Sequence, residues 1–432
     1  MMLAIKNWRT LSTEEKQRCL SRPVAGVTAK NNVLEIIKQV QTLGDQALLA
    51  LTQTFDGATL ETLQIPKEKI RKAQISQQAL TAINEAITTI SKYHQSQLPE
   101  SKSINTAPGV NIQTVYRPIQ RVGMYVPGGN KTPLISSLLM QAIPALVAGC
   151  PIKVFCTPPD AQGGVNEHLL VAARLCGIDT IYTVGGAQAI AAMAYGTQSI
   201  IKVDKIFGPG NSYVTEAKTL VASDPYGAAI DMPAGPSEVM ICADSQANPA
   251  FIAADLLAQA EHGIDSQVIL ICDSQHLAEQ VNQELATQLK NLPRASIISE
   301  SLANSLIILC NEIAEQQNMI NAYAPEHLII NRHDAATWVT KINAAGTIFL
   351  GSWAAETLGD YVTGSNHVLP THGFARNHNG LGTLDFLTRI SVQSISQEGI
   401  KNLGPAAMTL AQLEGLQAHA HAVAIRLNSL EI

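Results

Sequence analysis

"EVMICADSQANPAFIAADLLAQAEHGIDSQVILICD", residues 238 to 273, holds one complete strand–helix–strand unit. Its two ends, "EVMICAD" and "SQVILICD", are continuous apolar runs rather than alternating ones. Such runs belong to strands buried on both faces, which is the habit of parallel sheets covered by helices. The middle, 249 to 262, places Leu256, Leu257 and Ala260 on an apolar helical face and stops at Gly263. The fold class is therefore read as α/β.

The same grammar repeats on either side. "KVFCTP", "DTIYTVGG" and "VDKIFGPG" read as strands alternating with the helices "NEHLLVAARLCG", "AQAIAAMAYG" and "SYVTEAKTLVA". Beyond 273, a helix over 276–290, "SLIILC", "HLIIN", a helix over 333–343 and "GTIFLGS" continue it. Two blocks with mostly parallel sheets result, roughly 130–238 and 239–381. Helices are expected over 30–53 and 78–95, with "NIQTVYRPIQRVGMYVP" (111–127) extended. These elements before 130 are assigned to the second block. Residues 1–25 read as a small helical segment, opened by a Ser12–Glu15 capping box. The tail 382–432 reads as a mainly helical arm.

Composition narrows the class. The 432 residues are 46% hydrophobic, 15% charged and only 4% aromatic, a globular composition too long for one core. Net charge is −6 without a basic run, which argues against nucleic acid as a partner. The N-terminus lacks the pattern of a signal peptide. "PLISSLLMQAIPALVAGC" (133–150) is too broken by Pro144, Gln141 and two serines for a membrane span, and reads as a buried helix. Seven scattered cysteines with no Cys-x-x-Cys read as reduced core residues of a cytoplasmic protein.

Polar residues stand out against this background. Gln259 and His262, three apart at a helix end, form half of a metal site; Asp360 and a histidine in "LEGLQAHAHAV" are candidates for the remainder. "ETLGDYVTGSNHVLPTHG" gathers Glu356, Asp360, Asn366 and His367 after an apolar strand. In "APEHLIIN", Glu326 and His327 can serve as an acid–base pair if the turn at Pro325 aims both into one cleft. Ser237 in "DMPAGPSEV" reads as a binding hydroxyl. The turns "VPGGN", "VGGAQ" and "FGPGN" follow strand ends, where phosphates bind, yet none carries Gly-x-Gly-x-x-Gly. A zinc hydrolase and a non-catalytic α/β binding protein both fit these residues.

"GGAQAIAA", "KIFGPGN", "DMPAGPSEV", "DLLAQAEHG", "PEHLII" and "GDYVTGSNHVLPT", in this order, resemble the histidinol dehydrogenase family along nearly the whole chain. The resemblance implies two incomplete Rossmann-like domains, with N- and C-terminal segments interlocking in a homodimer. Residues 26–129 and 239–381 would form the zinc and substrate domain, 130–238 the NAD domain and 382–432 the dimerisation arm. The implied reaction is oxidation of L-histidinol to L-histidine through L-histidinaldehyde, with two NAD and one zinc per site. Gln259, His262, Asp360 and His419 would ligate zinc, and Glu326 and His327 would move protons. Ser237, Gln259, His262, His327, Asp360, Glu414 and His419 would hold substrate, and Tyr125, Gln188 and Asn211 would hold NAD. Glu414 and His419, five apart, diverge by about 140° on an unbroken helix, so an interruption at Gly415 is expected. The arm would reach the partner's site, with His421 as the local rival of His419.

Overall fold

The computed structural model describes residues 2–23, 30–128, 133–232 and 235–430. Strand β1 (Ala4–Asn7) opens the chain, followed by α1 (Thr13–Cys19). The capping box is formed: Ser12 Oγ accepts from Glu15 N, and the Glu15 carboxylate accepts from Ser12 N. The expected helix over 30–53 is two helices, α2 (Lys30–Leu43) and α3 (Asp45–Asp56), broken at Gly44. Helices α4 (Lys67–Lys72) and α5 (Gln77–Ser96) come next, then β2 (Lys102–Ala107) and β3 (Val110–Pro118).

A five-stranded, wholly parallel sheet is built from β4 (Arg121–Tyr125), β5 (Ile152–Thr157), β6 (Ile181–Thr183), β7 (Lys205–Phe207) and β8 (Ala229–Ile230). Its order is β6-β5-β4-β7-β8. Helices α6 (Ile135–Ala148), α7 (Glu167–Leu175), α8 (Gly186–Tyr195) and α9 (Ser212–Ser223) connect it. Chain order reverses between β4 and β7, which makes their carboxyl ends the switch point of a doubly wound sheet.

A second sheet follows, from β9 (Glu238–Ala243), β10 (Gln267–Cys272), β11 (Leu306–Leu309), β12 (His327–Asn331) and β13 (Thr347–Leu350), with β1 added at its edge. Its order, β1-β11-β10-β9-β12-β13, repeats the first sheet's winding, and every pairing is parallel. Helices α10 (Pro249–Ala260), α11 (Gln275–Gln288), α12 (Ala295–Leu302), α13 (Ile313–Tyr323) and α14 (Glu356–Tyr361) serve it. Strands β9, β10 and β12 are buried along their whole length, as their continuous apolar runs require.

Several expectations are corrected. The helices over 30–56 and 77–96 do not pack on the second block. Val33, Ile36 and Val40 of α2 share a core with Ile190 of α8 and Val214 of α9, and Ile83 and Ile90 of α5 pack with Leu138 and Ile143 of α6. Both groups therefore cover the five-stranded sheet. β4, assigned to the other domain, is the central strand of that sheet. The turn at 119–120 carries no glycine, so 111–127 read as one extended stretch. The segment 1–25 is not only helical, since β1 pairs with β11. The helix expected over 333–343 is a 3₁₀ turn, Ala335–Lys341. The tail contains a long strand, β14 (Leu387–Ile395), which joins β3 and β2 in an antiparallel sheet before α15 (Gln397–Leu413) and α16 (Gln417–Asn428).

All seven cysteines are buried and unpaired. Among the described residues no helix is long and apolar enough to cross a membrane.

Candidate active site

Glu326 and His327, the acid–base candidates, sit at the amino edge of the six-stranded sheet. Glu326 immediately precedes β12 and His327 is its first residue, so neither obeys simple strand alternation. Ala324, at φ 53°, ends α13 in the left-handed region and turns the chain into Pro325. Helix α10 runs back across the sheet from the end of β9, which returns its last turn to the same edge. Gln259 on that turn is buried, with Nε2 3.4 Å from both Glu326 Oε2 and His327 Nδ1. α14 brings two carboxylates four residues apart on one face. Glu356 Oε1 lies 3.9 Å from His327 Nδ1, and Asp360 Oδ1 lies 3.4 Å from His327 Nε2.

This cluster is electrostatically charged against its own burial. Burial disfavours the His327 imidazolium, but Glu356, Glu326 and Asp360 around it outweigh that penalty and hold its pKa well above the ordinary histidine range. Burial pushes the Glu356 carboxyl up to about 8. Burial also opposes ionisation of Asp360, yet the His327 contact and the fields of His367 and His262 leave its pKa lowered. His367 Nδ1 meets the Asp360 carbonyl at 2.8 Å, fixing the loop that follows α14.

Gln259, Glu326, His327 and Asp360 are thus brought together. His262 is not on the helix face with Gln259: α10 ends at Ala260, Glu261 caps it, and His262 lies exposed in the following turn. Ser237 is half-buried just before β9, and its hydroxyl makes no hydrogen bond among the described residues. Glu414 and His419 are exposed and join no ion pair or side-chain hydrogen bond among the described residues. Gly415, at φ 74°, does interrupt the arm between α15 and α16. Glu356 received no role from the sequence. Its signal was the four-residue spacing to Asp360 on one helix.

Among the described residues three buried polar atoms of the cluster make no hydrogen bond: Gln259 Oε1, His327 Nε2, beside which only the Asp360 carboxylate lies, and Glu356 Oε2. Unpaired buried polar atoms are costly, so an arrangement that retains three of them is organised for something outside the chain. A neutral amide oxygen, a carboxylate and imidazoles form a donor set that zinc accepts. Among the described residues the ligand atoms of His327, Glu356 and Asp360 also lie within 4.8 Å of one another.

The nucleotide candidates line the carboxyl edge of the five-stranded sheet. Tyr125 ends β4, buried, and its hydroxyl accepts from Gly186 N at 3.0 Å. Burial raises the Tyr125 pKa and keeps the phenol neutral. Gln188 lies buried in the first turn of α8, whose amino end carries no side-chain cap. Asn211 caps α9 with Oδ1, accepting from Tyr213 N and Val214 N. Gly208 between β7 and α9 has φ 120°, and a Cβ there would lie 2.0 Å from the Tyr125 carbonyl oxygen. Apart from Gly186 N, which the Tyr125 hydroxyl holds, the amino end of α8 is without the side-chain cap that Asn211 gives α9, and it is the end better suited to a phosphate. Of the turn "VPGGN", Gly129 and Asn130 lie outside the described residues, as do Pro233 and Ala234 of "DMPAGPSEV".

The two edges face one connection. β8 ends on the carboxyl side of its sheet and β9 starts on the amino side of the other, with only 231–237 between them. That link spans less than about 30 Å even when extended. Two doubly wound sheets joined across a buried acid–base cluster define an α/β enzyme.

A model of the histidinol dehydrogenase family matches residues 21–427. Histidinol dehydrogenase of Legionella pneumophila (strain Paris) is 72% identical over 99% of this chain and 100% of its own length. The Vibrio parahaemolyticus protein of that name is 48% identical, covering 98% of each. The crystal structure of histidinol dehydrogenase from Elizabethkingia anophelis superposes with a TM-score of 0.95 at 43% identity, over 100% of this chain and 99% of that one. The chain belongs to the histidinol dehydrogenase family and is an oxidoreductase.

Proposed function

We propose that the chain oxidises L-histidinol to L-histidine through L-histidinaldehyde, the last steps of histidine biosynthesis, as a cytoplasmic homodimer using two NAD and one zinc per subunit. Family membership supports the substrate. The observation that carries the chemistry is the single buried cluster of Gln259, Glu326, His327, Glu356 and Asp360 beside the 231–237 link. Gln259, His262 and Asp360, with His419 of the partner subunit, would hold zinc, and Tyr125, Gln188 and Asn211 would hold NAD. NAD is the hydride acceptor in both oxidations, and zinc, with its affinity for imidazole and amine nitrogen, orients the substrate.

The remaining chemistry belongs to side chains. With Asp360 engaged on zinc, one of the carboxylate fields that favour the His327 imidazolium is withdrawn, and His327 Nε2, the ring nitrogen without a hydrogen bond, then takes the alcohol proton in the first oxidation as a neutral ring. Glu356 and Glu326 on the Nδ1 side stabilise the resulting imidazolium. Glu326 Oε2 is held by the Glu238 N–H at 2.9 Å, which leaves Oε1 to deprotonate the water that attacks the aldehyde. Ser237 and Glu414 of the arm bind substrate polar groups. The arm suits a partner: β14 is exposed over almost all its length, as are Leu410, Leu413 and Ile425.

The test is NADH absorbance with purified enzyme and L-histidinol. Two NADH per histidinol, abolished by a chelator and restored by zinc, is the expected result; one NADH with free aldehyde, or none, overturns the reading. Sharing of the site predicts that His262→Asn and His419→Asn chains, each inactive alone, regain activity when mixed, because each heterodimer contains one intact site. Verified subunit exchange without recovery would rule out the shared arm.

A further inference from the structure

We propose that Arg22, in the segment between α1 and α2, is a positioning residue for the Glu326 carboxylate. This inference rests on the reading of Glu326 as the base of the aldehyde step. Arg22 comes from far away in the chain and is largely buried. Its Nε and Nη2 grip the two oxygens of Glu238 at 2.9 and 2.6 Å. Nη2 also donates to the carbonyls of Tyr323 (2.8 Å) and Ala324 (3.4 Å), and the guanidinium lies 3.9 Å over the Tyr323 ring. Each contact leads to Glu326. The Glu238 N–H is the donor that holds Glu326 Oε2. The Ala324 carbonyl belongs to the turn that delivers Pro325 and Glu326.

The strain pattern points the same way. Among the described residues only Ala324 and His372 are non-glycine residues at positive φ, 53° and 54°. Both are attached to this network, since His372 N donates to Glu238 Oε1. Strained backbone persists where surrounding contacts over-determine it, and it gathers at functional sites. Here one guanidinium fork, one carboxylate and one aromatic face supply that constraint. A lysine offers no fork and no flat face, so it does not replace Arg22.

The test separates the two half-reactions. Arg22→Lys, Arg22→Met and Glu238→Gln are assayed with L-histidinol for the first oxidation and with supplied L-histidinaldehyde for the second. Misplacement of a catalytic group by about 1 Å costs on the order of a hundredfold. The expected result is a fall in kcat of the aldehyde step by roughly thirtyfold, with its KM nearly unchanged and the first oxidation, where Glu326 only supports the His327 imidazolium, slowed no more than about threefold. A parallel loss in both steps, or a loss only of folded protein, overturns the proposal. If Arg22→Met does not fold, the milder Glu238→Gln and Arg22→Lys decide. Glu326→Gln is run beside them: if it spares the aldehyde step, the role of Glu326 itself fails; if it stops that step while all three variants spare it, only the positioning role of Arg22 fails.

Discussion

The two parallel sheets share one winding order and carry their candidate site residues on opposite edges. The five-stranded sheet puts Tyr125, Gly186 and Gly208 at its carboxyl edge, where doubly wound sheets ordinarily bind ligands. The six-stranded sheet puts Glu326, His327 and Gln259 at its amino edge. Its own carboxyl edge is closed by polar pairs. Asp244 Oδ2 accepts from His333 N and meets His333 Nδ1 at 2.7 Å, and Arg332 bonds Asp334 at 2.9 Å while lying over the Trp338 ring. Winding thus tells where a sheet can bind and not which edge works; the side chains decide. The short 231–237 link lets opposite edges serve one reaction on the proposed reading, because it makes the end of one sheet the start of the other.

The strongest test of the amino edge is His327→Asn. On the proposed mechanism the alcohol oxidation needs a proton moved at Nε2, so kcat of that step is expected to fall by about 10²–10⁴-fold, with the melting temperature nearly retained. Measured turnover within a few-fold of the parent would remove the chemistry from this edge. Gly208→Ala attacks the other sheet. The new Cβ meets the Tyr125 carbonyl, and the loop cannot yield easily because the buried Lys218–Asp231 pair clamps it: Lys218 donates to Gly208 O at 2.8 Å, and Asp231 accepts from Gly208 N at 2.9 Å. NAD affinity is expected to drop more than about tenfold and stability by roughly 2–3 kcal/mol. Titration calorimetry and thermal unfolding would read both; unchanged NAD binding would mean that the carboxyl edge of this sheet is not the nucleotide site.

The closed edge gives a smaller, purely structural effect. Asp244→Ala removes the acceptors for His333 and for Gln246 N. A loss of about 2 kcal/mol in stability with unchanged kcat is expected. A large fall in kcat without loss of stability would show that this edge, too, takes part.

These contrasts also mark what was legible in the sequence. Continuous apolar strands such as "VILIC" announced parallel sheets because burial on both faces leaves no polar position. The cluster residues were legible as types in motifs. Their convergence was not, because Gln259, Glu326 and Asp360 lie on elements whose return to one edge depends on winding order. The helices before 130 were assigned to the wrong sheet for a related reason: an apolar face specifies burial but not against which partner. Arg22 and Glu238 gave no signal, since a lone arginine before a proline resembles any surface charge. His419 and Glu414 could be placed only by resemblance, as nothing in a single chain brings the arm to the cluster.

The smallest expected effect lies where the two sheets are tied. His94 on α5 is fully buried beside the five-stranded sheet, and Asn366 follows α14 of the other. Asn366 Nδ2 sits 3.2 Å from His94 Nε2 and donates to Met140 O of α6 at 2.7 Å, while His94 Nδ1 meets Ile90 O at 2.9 Å. Nδ1 must then carry the proton and Nε2 must accept, which requires a neutral ring. Burial lowers the His94 pKa against the opposing pull of the Ile90 and Leu381 carbonyls. The unfolded chain therefore takes up a proton near the ordinary value of about 6.5, whereas the folded chain does so only at lower pH. More protons bind to the unfolded state in that window, so the contribution is intact above it and is lost as pH falls, at about 1.4 kcal/mol per pH unit of depression. Thermal unfolding from neutral to mildly acidic pH should show this slope in the parent and a flatter one in His94→Gln, whose amide oxygen accepts from Asn366 without titrating. An equal acid slope in both proteins would mean that the tie between the sheets is not held by a neutral His94.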